Sequence, residues 1–494
     1  MKKRFVFITA QRKELRGGNM KKRRLMLCSI VSLIMVFVMA VPMTVSAAET
    51  KVAGDATALT KAITEAKDGD TIKLTASFAA SITIPDDKNI TLDLNGKTLT
   101  GDKDHTITNA GVLTVIDSGN GGKIVNNDGA KGTLFNKPGA QATLKGGTFT
   151  GNTWYVIKNL GSLTIQAGTT VTQNDAGSSS IDNGWYDATK QNGNDCGITH
   201  SGTQTANLVI AGGEFSGGMN TIKNDDYGIL KISDGTFSNT DGPTVLNWNV
   251  AEISGGSFTV NSPANAILAN GGTNDTADKG ELAITGGEFI ANNNGNGVLF
   301  TYGIGAQKGK GTVTIKNGTF KGSLAITQDY PYTPEISGGE FTDDPAKYVA
   351  EGKVAIKFVR ANKDGNYYVG TQKEIQKIAN TAKDGDTIDV IKGSITLDMT
   401  TPGVNVNNDQ FNEGEVRVND TTLEPGTGMK IQNPATDPTK PSQDQTQKPS
   451  DTAKADKSAK TGDDFNLFAV GGVALAAIIA MAAVAITGRR HRQR

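Results

Sequence analysis

The sequence predicts an all-β solenoid, with short strands wound into coils that stack on one another. Three observations carry that expectation. One short phrase recurs at a near-constant period, apolar and polar residues alternate inside it, and a row of asparagines keeps the same period.

The phrase appears as "QATLKGGTF" ending at Phe149, "NLVIAGGEF" at Phe215, "ILKISDGTF" at Phe237 and "VAEISGGSF" at Phe258. It continues as "ELAITGGEF" at Phe289, "GTVTIKNGTF" at Phe320 and "PEISGGEF" at Phe341. From Phe215 onward the phenylalanines lie 22, 21, 31, 31 and 21 residues apart, and a degenerate copy places Val171 22 residues after Phe149. A period near 22 with ten-residue surpluses reads as stacked units carrying loop insertions. Two surpluses, "GGTNDTADKG" at 271–280 and "YGIGAQKGKG" at 302–311, are polar and glycine-rich, as exposed loops are. Within a unit, Leu282 and Ile284 alternate with Ala283 and Thr285, the pattern of a strand with one buried face. The 60 glycines exclude a helical repeat, and the dense leucines of leucine-rich repeats are missing.

The asparagines are Asn109, Asn136, Asn159, Asn183, Asn224, Asn247 and Asn270. Stacked coils would let these amides form a ladder, each bonded to its neighbour and to the turn backbone. At the start, Leu59, Ala62, Ile63 and Ala66 share one helical face, with Asp55 as N-cap and Gly69 closing the end. A second such segment follows the repeats, with Thr371 and Glu374 spaced as a capping box. The seven residues "AKDGDTI" are identical at 66–72 and 382–388. This assigns 371–432 to a small helix-plus-strand module or cap. From about Asp55 to Arg360 the chain resembles the right-handed parallel β-helices of pectate-lyase-like type. The rung period, the asparagine row and the segment "ALTKAITEAKDGDTIKL" carry the resemblance. It implies a right-handed parallel β-helix solenoid over 55–360 with an N-terminal capping helix.

The two ends give an address. Residues 1–47 contain a basic start, an apolar core and a small-residue site, a secretory signal peptide cut between Ala47 and Ala48. Its plan begins at Met20, the expected true start. Residues 433–460 are rich in proline, threonine, lysine and aspartate and lack large apolar residues, so a disordered stalk is expected. An apolar run at 465–486 is long enough for one transmembrane helix, and the basic tail after it would stay inside. Together, 458–494 resemble the sorting signal of Gram-positive wall proteins, which implies a sortase cut between Thr461 and Gly462 and transfer to peptidoglycan. Ala459 stands where that signal usually has proline, and a plain membrane anchor is the alternative. Either version displays the body at the cell surface.

Removing 1–47 leaves forty basic against forty-nine acidic residues, a balance that gives no footing for nucleic acid. Cys28 lies in the leader and Cys196 is alone in the exported chain, so disulfides do not hold it together. Motifs for a cofactor, zinc, phosphate or an EF-hand are missing, and no catalytic residue is assigned. "NTDG" at 239–242 matches one polygalacturonase motif, but the "GHG" and "RIK" that accompany it do not occur, and turn chemistry explains it. The acidic pairs in "NDDYG" at 224–228 and "TDDP" at 342–345 read as solvated turns, with calcium as the alternative. The recognition candidate is the long insertion at 174–206, where Trp185, Tyr186, Asp187, Lys190 and His200 gather on one excursion; the alternative is that Trp185 covers the solenoid flank and Asn183 belongs to the ladder. The expected function is adhesin-like binding of host or neighbouring-cell glycans or glycoproteins, mucin and immunoglobulin included. A polysaccharide-active enzyme and a passive wall component are the alternatives.

Overall fold

The computed structural model describes residues 48–433, apart from 102, 153, 192, 263–264, 273–278, 293–296, 304–310 and 325–333. The expected leader with Ala47, the expected stalk beyond 433, Thr461, Gly462 and the 465–486 run lie outside the described residues. Among the described residues no helix is long and apolar enough to cross a membrane.

The chain is mostly strand, arranged in stacked parallel sheets. Helix α1, Ala56–Glu65, opens it. The Asp55 side chain accepts the Ala58 N–H at 2.8 Å, and Leu59, Ala62 and Ile63 are buried, as the sequence required. Strands about one period apart in the chain then pair side by side in parallel. Nine short strands form one sheet, from Ile82–Ile84 through Ile157–Asn159, Ile181–Asn183 and Ile222–Asn224 to Leu299–Gly303. Most of the others join a larger sheet of twenty-six strands. This arrangement is compatible with a β-helix-like solenoid.

Register explains why the phrase repeats. Phe215 pairs with Phe237, Phe237 with Phe258, Phe258 with Phe289, Phe289 with Phe320 and Phe320 with Phe341. Their rings stack at centroid distances of 4.5–4.9 Å. All are buried, and the same row begins with Phe149 paired to Val171. Parallel strands about 4.8 Å apart hold identical side chains at a spacing where flat rings make face contact.

The asparagine ladder is continuous. Each Nδ2 donates to the next Oδ1 at 2.7–2.8 Å, from Asn109 through Asn136, Asn159, Asn183, Asn224 and Asn247 to Asn270. Asn270 donates to the Gly280 carbonyl at 2.7 Å. Buried amides are tolerated here because each finds a partner in the coil beside it.

Asn366–Gly370 ends the parallel stack by pairing antiparallel with Gly339–Phe341 on one side and Val354–Val359 on the other. Helix α2, Gln372–Ala379, carries the complete Thr371–Glu374 capping box. It packs Ile375 and Ala379 into a second core with Ile388, Val390, Val406 and Val416. Val354, Ile356 and Phe358 also enter this core, so the second module recruits a strand from before Arg360.

Candidate functional site

In the short strands of the nine-stranded sheet, the outer two side chains face the core and the asparagine ladder. The middle one faces away from the core. Register stacks these middle residues as Thr108, Phe135, Lys158, Asp182, Lys223, Leu246 and Ala269. Thr108, Leu246 and Ala269 are half-buried, but Phe135, Lys158, Asp182 and Lys223 are buried. Of the expected 174–206 insertion, Ile181–Asn183 is itself a strand of this sheet, and only the part after Asn183 is an excursion, which covers them.

That insertion leaves the coil at Gly184, whose φ is +113° and where a Cβ would meet the Asp226 carbonyl oxygen at 2.5 Å. Only glycine fits this close approach. Trp185 then exchanges backbone hydrogen bonds with Asp226 at 3.0 and 3.1 Å. It packs with Phe135, Leu160, Ala188 and Ala206 in a small apolar cluster beneath the excursion.

Beside this cluster lies a dry ionic network. Lys158 Nζ is 3.0 Å from Asp182 Oδ1 and 2.8 Å from Asp195 Oδ1, and all three side chains are fully buried. Asp195 comes from the insertion and accepts the Tyr186 N–H at 2.8 Å and the Asp187 N–H at 3.3 Å. Lys223 is bound to Asp225, with its Nζ 4.7 Å from the Tyr186 ring centroid and 4.1 Å from that of Trp248. Burial alone would push both lysines down, but the adjacent aspartates outweigh it and hold both ammonium groups firmly protonated. Three carboxylates share two ammoniums, and burial pushes Asp225 up to about 7. Asp182 Oδ2 and Trp185 Nε1 are buried with no hydrogen-bond partner among the described residues.

His105 closes one side. Its Nδ1 accepts the Gly132 N–H at 3.0 Å, which leaves Nε2 to donate to Cys196 Sγ at 3.4 Å. Burial lowers His105 to about 4 and raises the Cys196 thiol to about 11, so both are neutral at physiological pH. Cys196 is a packing residue with low reactivity.

The five residues expected to recognise a ligand separate into different roles. Trp185 is fully buried and anchors the insertion, so it packs against the flank and is not open to a ligand, because its ring fills the apolar space beside Phe135. Tyr186, the next residue, points outward and is 47% exposed. Asp187 and Lys190 pair with each other at 2.7 Å on the rim. Half-buried His200 stacks on Tyr227 at 3.6 Å and meets Trp185 edge-on at 4.9 Å. The excursion is therefore pinned to the sheet over much of its length.

Sequence reasoning missed Lys158, Asp182, Asp195, Lys223 and Trp248, and read Asp225 as a solvated turn residue. A signal existed in "VIKN", "SIDN" and "TIKN", whose third letters alternate in charge immediately before ladder asparagines. "NDDYG" is not a solvated turn, because Asp225 and Asp226 are both buried. Among the described residues no group of acidic, histidine or cysteine side chains is arranged to hold a metal. In "NTDG", the Asn239 side chain accepts the Asp241 and Gly242 N–H groups at 2.8 and 2.9 Å, which is turn chemistry.

Fold and site together define a class: a stack of parallel sheets bearing an aromatic ledge over a buried ionic network. No protein-family model matches the chain, and neither a curated protein nor a solved structure does.

Proposed function

We propose that this chain is a cell-surface binding protein that holds host or neighbouring-cell glycans or glycoproteins on an aromatic ledge at Tyr186 and Trp248. The placement of Tyr186 carries this reading. Its ring is nearly half exposed, and Lys223 Nζ lies over both this ring and the half-buried Trp248 ring. A ring held in place beneath by a cation loses little freedom when a sugar stacks on its outer face. The C–H face of a pyranose is the partner such a ledge fits, whether on mucin, immunoglobulin or another glycoprotein.

The proposed body is a right-handed parallel β-helix of pectate-lyase-like type. In this reading the 1–47 leader exports it and 433–460 raises it as a stalk. Sortase joins it to peptidoglycan between Thr461 and Gly462, or the 465–486 span anchors it, in a Gram-positive envelope. Binding is preferred to hydrolysis or elimination because Asp182, Asp195 and Asp225 are enclosed and bound to lysines, whereas glycosidic cleavage needs carboxylates flanking an open bond.

The test is an array of mucin-type and plant glycans and host glycoproteins probed with the wild-type protein and with Tyr186→Ala. The expected result is a bound class whose affinity falls at least tenfold in the variant. Unchanged binding by Tyr186→Ala would remove the ledge from the site.

A further inference from the structure

Lys158, Asp182 and Asp195 bring a nucleophile, an electrophile and a proton carrier into one dry space. Lys158 Nζ lies 2.8 Å from the Asp195 carboxyl and 3.0 Å from that of Asp182, with no solvent exposure on any of the three. Lys158 and Asp182 pair in register on neighbouring strands, while Asp195 enters from the insertion. We infer that Lys158 and Asp195 condense into an intramolecular isopeptide bond that fastens the insertion covalently to the nine-stranded sheet.

Each group has a distinct reason for its role. The Asp195 oxygens accept two backbone N–H groups, from Tyr186 and Asp187. These donors draw density from Cγ and stabilise the negative oxygen that forms when Cγ is attacked. Asp182 touches Lys158 through Oδ1, while its buried Oδ2 has no hydrogen-bond partner among the described residues. That oxygen keeps its lone pairs open, within the same carboxylate that touches Nζ, so it can receive the proton Lys158 gives up. Asp182 is therefore the carrier and Asp195 the electrophile.

The step balances without a co-reactant. Lys158 gives one ammonium proton to Asp182, and its freed lone pair attacks Asp195 Cγ to form the Nζ–Cγ bond. A second nitrogen proton and the proton held on Asp182 pass to one Asp195 oxygen. The Cγ–O bond breaks, water leaves, and Asp182 returns to its starting state. An ammonium and a carboxylate have become an amide and water.

The environment drives the reaction forward. Burying an ion pair carries a desolvation cost for both partners, and condensation removes both charges. The neutral amine is a minor population because the two carboxylates keep Lys158 protonated, so the bond forms slowly after folding. The enclosed site excludes the water needed for reversal, and the product accumulates.

Trypsin digestion of the denatured full chain, followed by mass spectrometry, tests the bond. A modified Lys158 resists trypsin, so peptide 146–190 should appear joined to 191–223, with a mass below their sum by one water. Free 146–158 beside unmodified 191–223 in aged protein would overturn the proposal. Loss of water confined to 146–190 would place the bond on Asp182 and also overturn it. Asp182→Asn keeps the side-chain shape but cannot carry the proton, so a folded D182N chain should lack the link. A linked D182N chain would show that Asp182 is not the carrier.

Discussion

Asn183 donates its side-chain amide to Asn224 at 2.8 Å across a sequence separation of 41 residues, where most steps of the ladder span 23 or 24. The insertion is thus looped out of the coil without breaking the hydrogen-bond row. Asn183→Ala should remove this joint, take from Asn159 Nδ2 its shortest hydrogen bond while leaving those to the Gly161 and Asn207 carbonyls, and leave Asn224 Oδ1 without its donor. Each buried polar group left unsatisfied costs about 1–3 kcal/mol. Urea unfolding should show a loss in that range, and an unchanged midpoint would mean that the ladder contributes nothing to stability.

The phenylalanine row is internal, so Phe258→Asp should cost several kcal/mol, about the scale of a large core deletion plus charge burial. Phe258→Leu should cost about 1 kcal/mol, since it keeps most of the apolar volume. Differential scanning calorimetry would separate the two. Equal melting temperatures for both variants and wild type would place this ring outside the core.

Adjacent residues of the insertion should behave in opposite ways. Trp185→Ala removes a fully buried ring and should destabilise the protein by about 3–5 kcal/mol. Tyr186→Ala should leave melting nearly unchanged while weakening ligand binding by about 1.4 kcal/mol or more. If Tyr186→Ala lowers stability as much as Trp185→Ala does, its ring is structural.

Acidity reaches the site through Asp225. Burial raises its folded-state value from 3.8 to about 7, opposed by Lys223 and assisted by Asp182. The native state therefore retains a proton that the unfolded chain releases. This contribution to stability is fully present below about pH 4 and is lost as pH rises through about 7. Urea midpoints should fall between about pH 5 and pH 8, and Asp225→Asn should flatten that slope. A midpoint that rises over this window in the wild type would contradict the assignment.

Anchoring gives the last prediction. Thr461→Ala should abolish release of the chain with wall fragments and shift it to the membrane fraction. An equal amount in wall digests of variant and wild type would exclude sortase linkage at this threonine.

The amino-acid sequence by itself determined the repeating parts: the phenylalanine row, the asparagine ladder, the Asp55 cap and the Thr371–Glu374 capping box. These were legible because each depends on neighbours at a fixed separation, one period along the stack or three residues along a helix. Tertiary structure alone decided how the non-repeating segment folds back over the sheet. It buried Trp185 and exposed Tyr186, although the two stand side by side in the chain. It also brought Asp195 to Lys158 and turned the Lys158–Asp182–Lys223 column from an exposed stripe into a dry network. Alternating charge on a strand does not say whether water or protein lies above it. That depends on a loop whose path has no period to read, and on the desolvation its closure imposes.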